Sequence, residues 1–328
     1  GKRDFSKVPN LIYRQNGKIT VNQPFYSENI NQLTAPNYDG FPLDLYLSPE
    51  PVLPVQFSRG CYYKDCAFCA LTLDHQNFRQ RDPGKTVDDL VWLKERYGAQ
   101  SFFFTDECFA LSPTKRLCQQ MIDRQVNVKW TCELRFEKNL TRELLGQMRD
   151  AGCLKIVFGL ESFNQRVMDF MKKGIKQESV RRIVDDCVDL GIAVHCYVIV
   201  GFPTEKEEEA LETMNFVVGN KKLHESYGFS CQPCLFDLEK EAPIMSDPGS
   251  YGIRRIMRPA TEDLSLGFFF EVQEGMTPAQ SEQLYQQVYE KISEVVCELP
   301  FNYSMADGLL YIARAKSQAL QVPQPTGS

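Results

Sequence analysis

Three cysteines, Cys61, Cys66 and Cys69, fall within one short stretch, SRGCYYKDCAFCAL, with four residues between the first pair and two between the second. Thiolates are soft donors, and three on a single loop can converge on a soft metal centre. A closed structural zinc site takes four protein ligands, and the nearest candidate for a fourth is His75. A four-iron cluster also takes four ligands. If the protein supplies only three, one iron stays open to a small molecule, which can bind there and receive an electron. Twelve cysteines in 328 residues are many, but the chain is too long and too well patterned to need a disulfide scaffold. They point to metal, catalysis or buried thiols. Cys118, Cys153, Cys187, Cys196 and Cys297 lie singly in apolar segments and read as small buried hydrophobes. Cys231 and Cys234 form a Cys-x-x-Cys for which a redox pair, a second metal site and coincidence all stay open. His195, inside an apolar strand, reads as an interior side chain.

The loop needs a frame, and the chain around it supplies one. Between residues 54 and 235, β-rich runs alternate with amphipathic stretches: PVQFS, SFFFTD, VKWTCEL, KIVFGLE, AVHCYVIVG and YGFSCQPCLF. The intervening helices carry their own punctuation. In TVDDLVWLKERYG the expected cap is Thr86 and the stop is Gly98; in SPTKRLCQQMIDRQ the cap is Ser112, followed by Pro113. Strand, helix, strand with short loops means parallel strands with helices packed outside. Six such strands fall short of the roughly 250 residues a closed eight-stranded barrel takes. The expectation is an α/β fold, a partial (β/α)6 barrel with catalytic groups at the carboxyl ends of its strands.

The flanks read differently. Residues 1–53 form a connector that includes a hairpin turning at Asn16-Gly17 and a Pro-studded run. The barrel is expected over 54–240, an α+β extension that covers the substrate over 241–320, and a disordered tail over 321–328. The extension includes a strand-like SLGFFFEV and a helix from about Thr277 to Cys297. Composition narrows the classes further: 43% hydrophobic and 24% charged residues are those of a globular chain. A net charge of -6 argues against a broad nucleic-acid surface. No apolar run suits a membrane span and the start lacks a secretory signal, so the expected location is the cytoplasm.

The loop, its place after the first strand, and GLESFNQRVMDFMKKG and VIVGFPTE at later strand ends together resemble the radical S-adenosylmethionine (SAM) superfamily. The usual motif has three residues between the first two cysteines, where this chain has YYKD. The resemblance implies that Cys61, Cys66 and Cys69 ligate three irons of a 4Fe–4S cluster and that SAM chelates the fourth. The reduced cluster would split the sulfonium into methionine and a 5′-deoxyadenosyl radical, which takes a substrate hydrogen. It also implies a set of SAM contacts. Phe68 would lie near the adenine, and Asp106 or Glu107 would receive the methionine amino group. Arg135 would hold the methionine carboxylate, an internal pair with Glu133 being the alternative. Glu161 and Ser162 would contact the ribose or amino group, and Gly201 would let the backbone approach the adenine. Glu205 reads as the acidic first turn of a helix.

In the cobalamin-dependent branch of that superfamily, SKVPNLIYRQNGKITVN resembles the connector that follows the cobalamin-binding domain, and FPLDLYLSPEPVLPVQFSRGCYYKDCAFC resembles the entry to the catalytic barrel. The cobalamin-binding domain of that branch, with its Asp-x-His-x-x-Gly pattern, is not found in these residues. The implied function is modification of an unactivated carbon in a peptide or natural product. That means C-methylation where cobalamin is supplied, and otherwise rearrangement, epimerisation or cross-linking. An RNA substrate is a further alternative, against which the acidity argues. A non-catalytic zinc scaffold is the reading from a different class. A reducing partner such as flavodoxin or ferredoxin follows from the chemistry.

Overall fold

The computed structural model describes residues 4–23, 29–46, 48, 50–71, 78–220, 229–258 and 267–295. The chain divides into two compact units, Gly1–Leu33 and Thr34–Ser328. In the first, β1 (Ile12–Gln15) and β2 (Lys18–Val21) pair antiparallel, with Gln15 opposite Lys18. Asn16 and Gly17 both take positive φ, 52° and 78°. A two-residue turn that follows the strand twist requires this, and Asn-Gly tolerates it best. The expected hairpin is therefore present.

In the second unit the strands begin with β3 (Val52–Val55), β4 (Ser58–Arg59), β5 (Arg79–Gln80), β6 (Ser101–Phe104) and β7 (Lys129–Leu134). They continue with β8 (Cys153–Glu161), β9 (Ala193–Val200), β10 (Phe229–Leu235), β11 (Leu238–Glu239), β12 (Ile253–Met257) and β13 (Gly267–Val272). The helices are α1 (Pro83–Tyr97), α2 (Leu111–Asp123), α3 (Arg142–Asp150), α4 (Gln165–Phe170), α5 (Gln177–Asp189), α6 (Glu207–Gly219) and α7 (Pro278–Val295). Six strands form one sheet in the order β10-β9-β8-β7-β6-β3, every neighbour parallel. Spatial order follows chain order, and among the described residues β3 and β10 do not pair. This is the open, partial barrel that the strand count implies.

Alternation along each strand sorts the two faces. Phe102, Phe104, Trp130, Cys132, Leu134, Ile156, Phe158, Val194 and Cys196 are buried in one core with the helices. Phe104 and Trp130 meet edge to face at 5.6 Å, and burying each such ring contributes on the order of 2 kcal/mol. The opposite face carries Thr131, Glu133, Lys155, His195 and Tyr197, so it is polar where a wholly buried parallel sheet would be apolar. The single cysteines Cys118, Cys153, Cys187 and Cys196 are buried as expected, and Cys297 lies outside the described residues.

Two helix starts differ from expectation. Helix α1 begins at Pro83, capped by Asp82, whose carboxylate accepts from the Lys85 amide at 3.2 Å. Thr86 sits one turn in, its hydroxyl donating to the Asp82 carbonyl. A helix-compatible proline at the first position moves the start upstream. Helix α2 begins at Leu111 after Ala110 with no side-chain cap, so Ser112 lies inside it. Gly98 ends α1 in the left-handed conformation, φ 66°. Beyond β10, β11, β13 and β12 form an antiparallel sheet. Helix α7 follows, opened by reciprocal hydrogen bonds between Thr277 and Gln280.

Candidate functional site

The cysteine loop leaves through β4 and returns through β5, which pair Ser58 with Gln80 and Arg59 with Arg79. Other elements also hold it in place. The Gly60 amide donates to the Glu107 carboxylate at 2.9 Å. The Ala67 amide donates to the Met171 carbonyl at 2.9 Å, and the Ala67 carbonyl accepts from the Ile244 amide at 2.8 Å. Cys66 is buried, and Cys61 and Cys69 are half-buried. Burial pushes the Cys69 thiol up to about 11 and Cys66 upward as well, and charge on the other loop thiols adds to both effects. Cys61 is instead drawn down to about 6 by a hydrogen bond from the thiol of Cys108. Among the described residues no three His, Cys, Asp or Glu side chains gather around a single ion. A lone zinc needs such convergence, whereas the thiolates on a four-iron cluster each bind a different iron.

Two cations are buried against this loop. The Arg135 guanidinium, 6% exposed, stacks on the Tyr63 ring with 3.4 Å to the centroid. Its Nη1 points at Cys66 Sγ across 3.8 Å, and its Nη2 donates to the Lys173 carbonyl. Glu137 lies 3.5 Å from its Nε. The Lys173 ammonium pairs with Glu161 at 2.8 Å, and both side chains are almost wholly buried. The same ammonium lies 5.5 Å from the Phe68 ring. Two glycines make room for this arrangement. A Cβ on Gly159 would overlap the Glu161 carboxylate and come within 2.7 Å of Lys173 Nζ. A Cβ on Gly174, whose φ is +68°, would overlap the Tyr63 hydroxyl. Tyr63 itself donates to the Lys172 carbonyl at 2.9 Å. Glu133 faces the same interior, and burial raises its carboxyl to about 7.

Residues 55–217 match the Radical SAM superfamily. This stretch is a radical SAM domain. Such domains work with a 4Fe–4S cluster and SAM, and a pinned loop of three cysteines at the carboxyl end of the first strand suits that chemistry. An uncharacterized methyltransferase of Pyrococcus horikoshii is 28% identical over 230 residues, 69% of this chain and 49% of that protein. The anaerobic magnesium-protoporphyrin IX monomethyl ester cyclase of Rubrivivax gelatinosus is 31% identical over 160 residues, 48% of this chain and 29% of that protein. The chain thus spans half or less of the length of these relatives. The radical SAM methyltransferase TsrM of Kitasatospora setae, seen with cobalamin and a [4Fe-4S] cluster, superposes with a TM-score of 0.65 at 16% identity. The superposition covers 97% of this chain and 73% of TsrM. The cobalamin-dependent enzyme OxsB gives 0.66 at 15%, covering 87% and 47%. At such identities these likenesses speak to the fold.

Within the radical SAM domain the expected SAM contacts separate. Phe68, Glu107, Arg135 and Glu161 gather at the loop. Asp106 does not face it: its carboxylate is 2% exposed and accepts from the Phe57 amide and, at 2.6 Å, from the Ser58 hydroxyl. It ties β3 and β4 to the end of β6. Ser162 is also turned away, its hydroxyl lying 3.3 Å from that of Thr213 and accepting from the Asn164 amide. The backbone at Gly201 approaches Ser281 of α7, 2.5 Å from a Cβ placed there. Arg135 engages the loop thiol and Lys173; its acidic neighbour is Glu137, not Glu133. Glu205 is a buried carboxylate accepting from the Gly201 amide at 2.7 Å, not a solvated first turn. His195 is interior, with Nδ1 2.7 Å from the Ser230 hydroxyl. Cys231 is buried and Cys234 exposed. His75 lies outside the described residues. Tyr63, Gly159, Lys173, Gly174 and Cys108 are the site residues that sequence reasoning missed. MKKG was noted only as part of a resemblance, and no local pattern ties residue 63 to residue 174.

Proposed function

We propose that this chain is the catalytic part of a radical SAM enzyme that methylates an unactivated carbon of a peptide or other natural product. The observation that carries this reading is the pinned three-thiol loop with a guanidinium and an ammonium buried against it. Cys61, Cys66 and Cys69 would hold the cluster, and Phe68 would flank the adenine. When bound, the cluster would supply one electron to SAM, releasing methionine and a 5′-deoxyadenosyl radical. The residues around it exclude water and hold charge. Arg135 and Lys173 offset the negative thiolates, while Glu133, Lys155 and Tyr197 give the sheet's inner face polar groups on which to orient a substrate.

The methyl-transfer part follows the names of relatives, including cytidylyl-2-hydroxyethylphosphonate and bacteriochlorophyllide d methyltransferases. Cobalamin, present in the TsrM and OxsB structures, would be the methyl carrier. Flavodoxin or ferredoxin would be the reductant and the cytoplasm the location; among the described residues no helix is long and apolar enough to cross a membrane. A second reading is ring closure without methyl transfer, favoured by similarity to the anaerobic cyclases.

Anaerobic reconstitution tests the core of the proposal. About four irons per chain and dithionite-dependent formation of methionine and 5′-deoxyadenosine support it. Stoichiometric zinc without iron refutes it. Methylated products formed only with added cobalamin separate the first reading from the second.

A further inference from the structure

Three unusual features meet where the turn after β9 touches the carboxyl-terminal sheet and the start of α7. Thr204 has φ 72°, a left-handed conformation that a β-branched residue keeps only under constraint. The Glu205 carboxyl, 1% exposed, accepts from the Gly201 amide through one oxygen. Its other oxygen is buried with no hydrogen-bond partner among the described residues, and so is the Ser281 hydroxyl on α7. Arg166 of α4 donates to the Thr204 hydroxyl and carbonyl at 3.2 and 2.9 Å, and the Met276 amide donates to the Glu205 carbonyl at 2.8 Å. A Cβ on Gly275 would come within 2.7 Å of Thr204 Cα, and one on Gly252 within 2.6 Å of Thr204 Cγ2. Behind this seam, Phe202 shares a small core with Leu238, Ile244, Tyr251, Ile253 and Ala67 of the cysteine loop. Leu284, Val288 and Ile292 of α7 belong instead to the barrel core.

We propose that the sheet β11-β13-β12 is a hinged flap over the cysteine loop, shut while the Glu205 carboxyl is neutral and released when it ionises. The two cores make the division: α7 stays with the barrel, while the sheet rests on its own small core and can open as a unit. The shut state stores the cause of its opening, in the Thr204 backbone and in two oxygens that only water from an opened seam can satisfy. Glu205 is the trigger because a buried carboxylate with one hydrogen bond and no paired cation is costly. The charged groups around it are Arg166 and Glu209 of α6, which pair with each other, and Glu274 acts on the same guanidinium. The flap and α7 bring Gly252, Gly275, Met276 and Ser281 to the turn, none of them titratable. Burial pushes the Glu205 carboxyl up to about 8 from an ordinary 4.5, with the Gly201 amide opposing and Glu209 adding. A value raised in the shut state means that closure weakens as pH rises between those two values and levels off above the higher one. Release frees the Ile244 amide from the Ala67 carbonyl, and so loosens the loop between Cys66 and Phe68.

The test is hydrogen–deuterium exchange, read by mass spectrometry on the full chain at several pH values from about 5 to 9, each rate divided by that of an unstructured amide at the same pH. In the wild type, peptides over 238–257 and 267–274 should exchange up to about tenfold faster per pH unit until about pH 8 and then level off. Peptides over β7 and β8 should not change. Glu205→Gln, which stays neutral, should keep the flap protected throughout. A wild-type profile that is flat with pH, or a Glu205→Gln profile that follows the wild type, overturns the proposal. If Glu205→Gln does not fold, Glu209→Gln decides. It removes a charge that raises the Glu205 carboxyl, so the levelling-off should move to lower pH, and an unmoved profile defeats the flap. The readout needs neither SAM nor turnover, so its failure is distinct from failure of the cluster reading.

Discussion

Replacing Glu161 by glutamine removes one half of the buried pair with Lys173. At 2.8 Å, and with an effective dielectric of about 20, the attraction is about 6 kcal/mol. Desolvation of both groups offsets part of this. Removing one partner of a buried pair nevertheless costs about 3–5 kcal/mol, because the other charge is stranded. That is a large share of a typical domain stability. The pH dependence follows from Lys173. Burial alone lowers its pKa, and in the wild type the charges of Glu161 and Cys66 more than offset this, so the net shift is upward. The stability so contributed is fully present below the unfolded lysine value and is lost as pH rises through the folded one. In Glu161→Gln the burial effect is no longer opposed by Glu161. The deficit is then largest where the folded state must hold a charged ammonium, near neutral pH. It narrows as pH rises toward the ordinary lysine value, because the buried lysine of the variant loses its proton before that of the unfolded chain does. Urea unfolding at several pH values measures both features, and Glu161→Gln/Lys173→Met should recover most of the loss. A single-variant cost below about 1 kcal/mol, or a deficit that does not change with pH, would refute the reasoning.

Serine at Cys61, Cys66 or Cys69 should abolish the four-iron chromophore and SAM cleavage while leaving the far-ultraviolet circular dichroism unchanged. Gly174→Ala forces a side chain into the left-handed region and onto Tyr63, costing about 1–2 kcal/mol from the backbone alone. Iron loading should fall with it, and Tyr63→Ala in the same chain should relieve the steric part. Ser162→Ala should cost about 1 kcal/mol in a melt and leave SAM affinity unchanged by calorimetry, since the hydroxyl serves Thr213 and Asn164. Asp106, whose carboxyl burial raises to about 7, should make the wild type gain stability relative to Asp106→Asn as pH falls. The gain should accrue at up to about 1.4 kcal/mol per pH unit from near 7 down toward 4, because a raised carboxyl pKa penalises the charged form; equal slopes for the two proteins in urea titrations would contradict this.

The parallel sheet was legible because its signals are local. Each strand is a short β-rich run, and the helices have a 3.6-residue period, several of them with a capping side chain or a glycine stop. The cysteine loop was legible for the same reason, since all three thiols fall within nine residues. The side-chain contacts were not, and Glu161 and Ser162 show why. Adjacent residues in an extended strand point to opposite faces, so only one of the two can reach a common ligand. Glu161, at φ 60° and beside a register irregularity in β8, turns to Lys173, and Ser162 turns to Thr213 behind the sheet. Asp106 and Glu107 divide likewise, the first to Phe57 and Ser58, the second to Gly60. The helix starts failed for a smaller reason: Asp82-Pro83 and Thr86 are all acceptable near a helix start, and only the folded chain selects among them.

Net composition also concealed what the site does with charge. A chain at -6 gives no hint that two buried cations, Arg135 and Lys173, face a loop whose function requires anions. The reason lies in desolvation. A thiol taken out of water resists ionising, as Cys66 and Cys69 show by their upward shifts, and a metal ligand must be a thiolate. Fixed cations at short range are one protein device that counters burial without admitting water. Arg135 and Lys173 are placed by Tyr63, Gly174, Gly159 and Glu161, which are dispersed over a hundred residues and converge only when the sheet closes around the loop. Neutralising either cation should therefore slow metal uptake more at pH 6 than at pH 9, where bulk hydroxide does part of the same work. Uptake rates that fall equally at both values would assign the two cations a packing role instead.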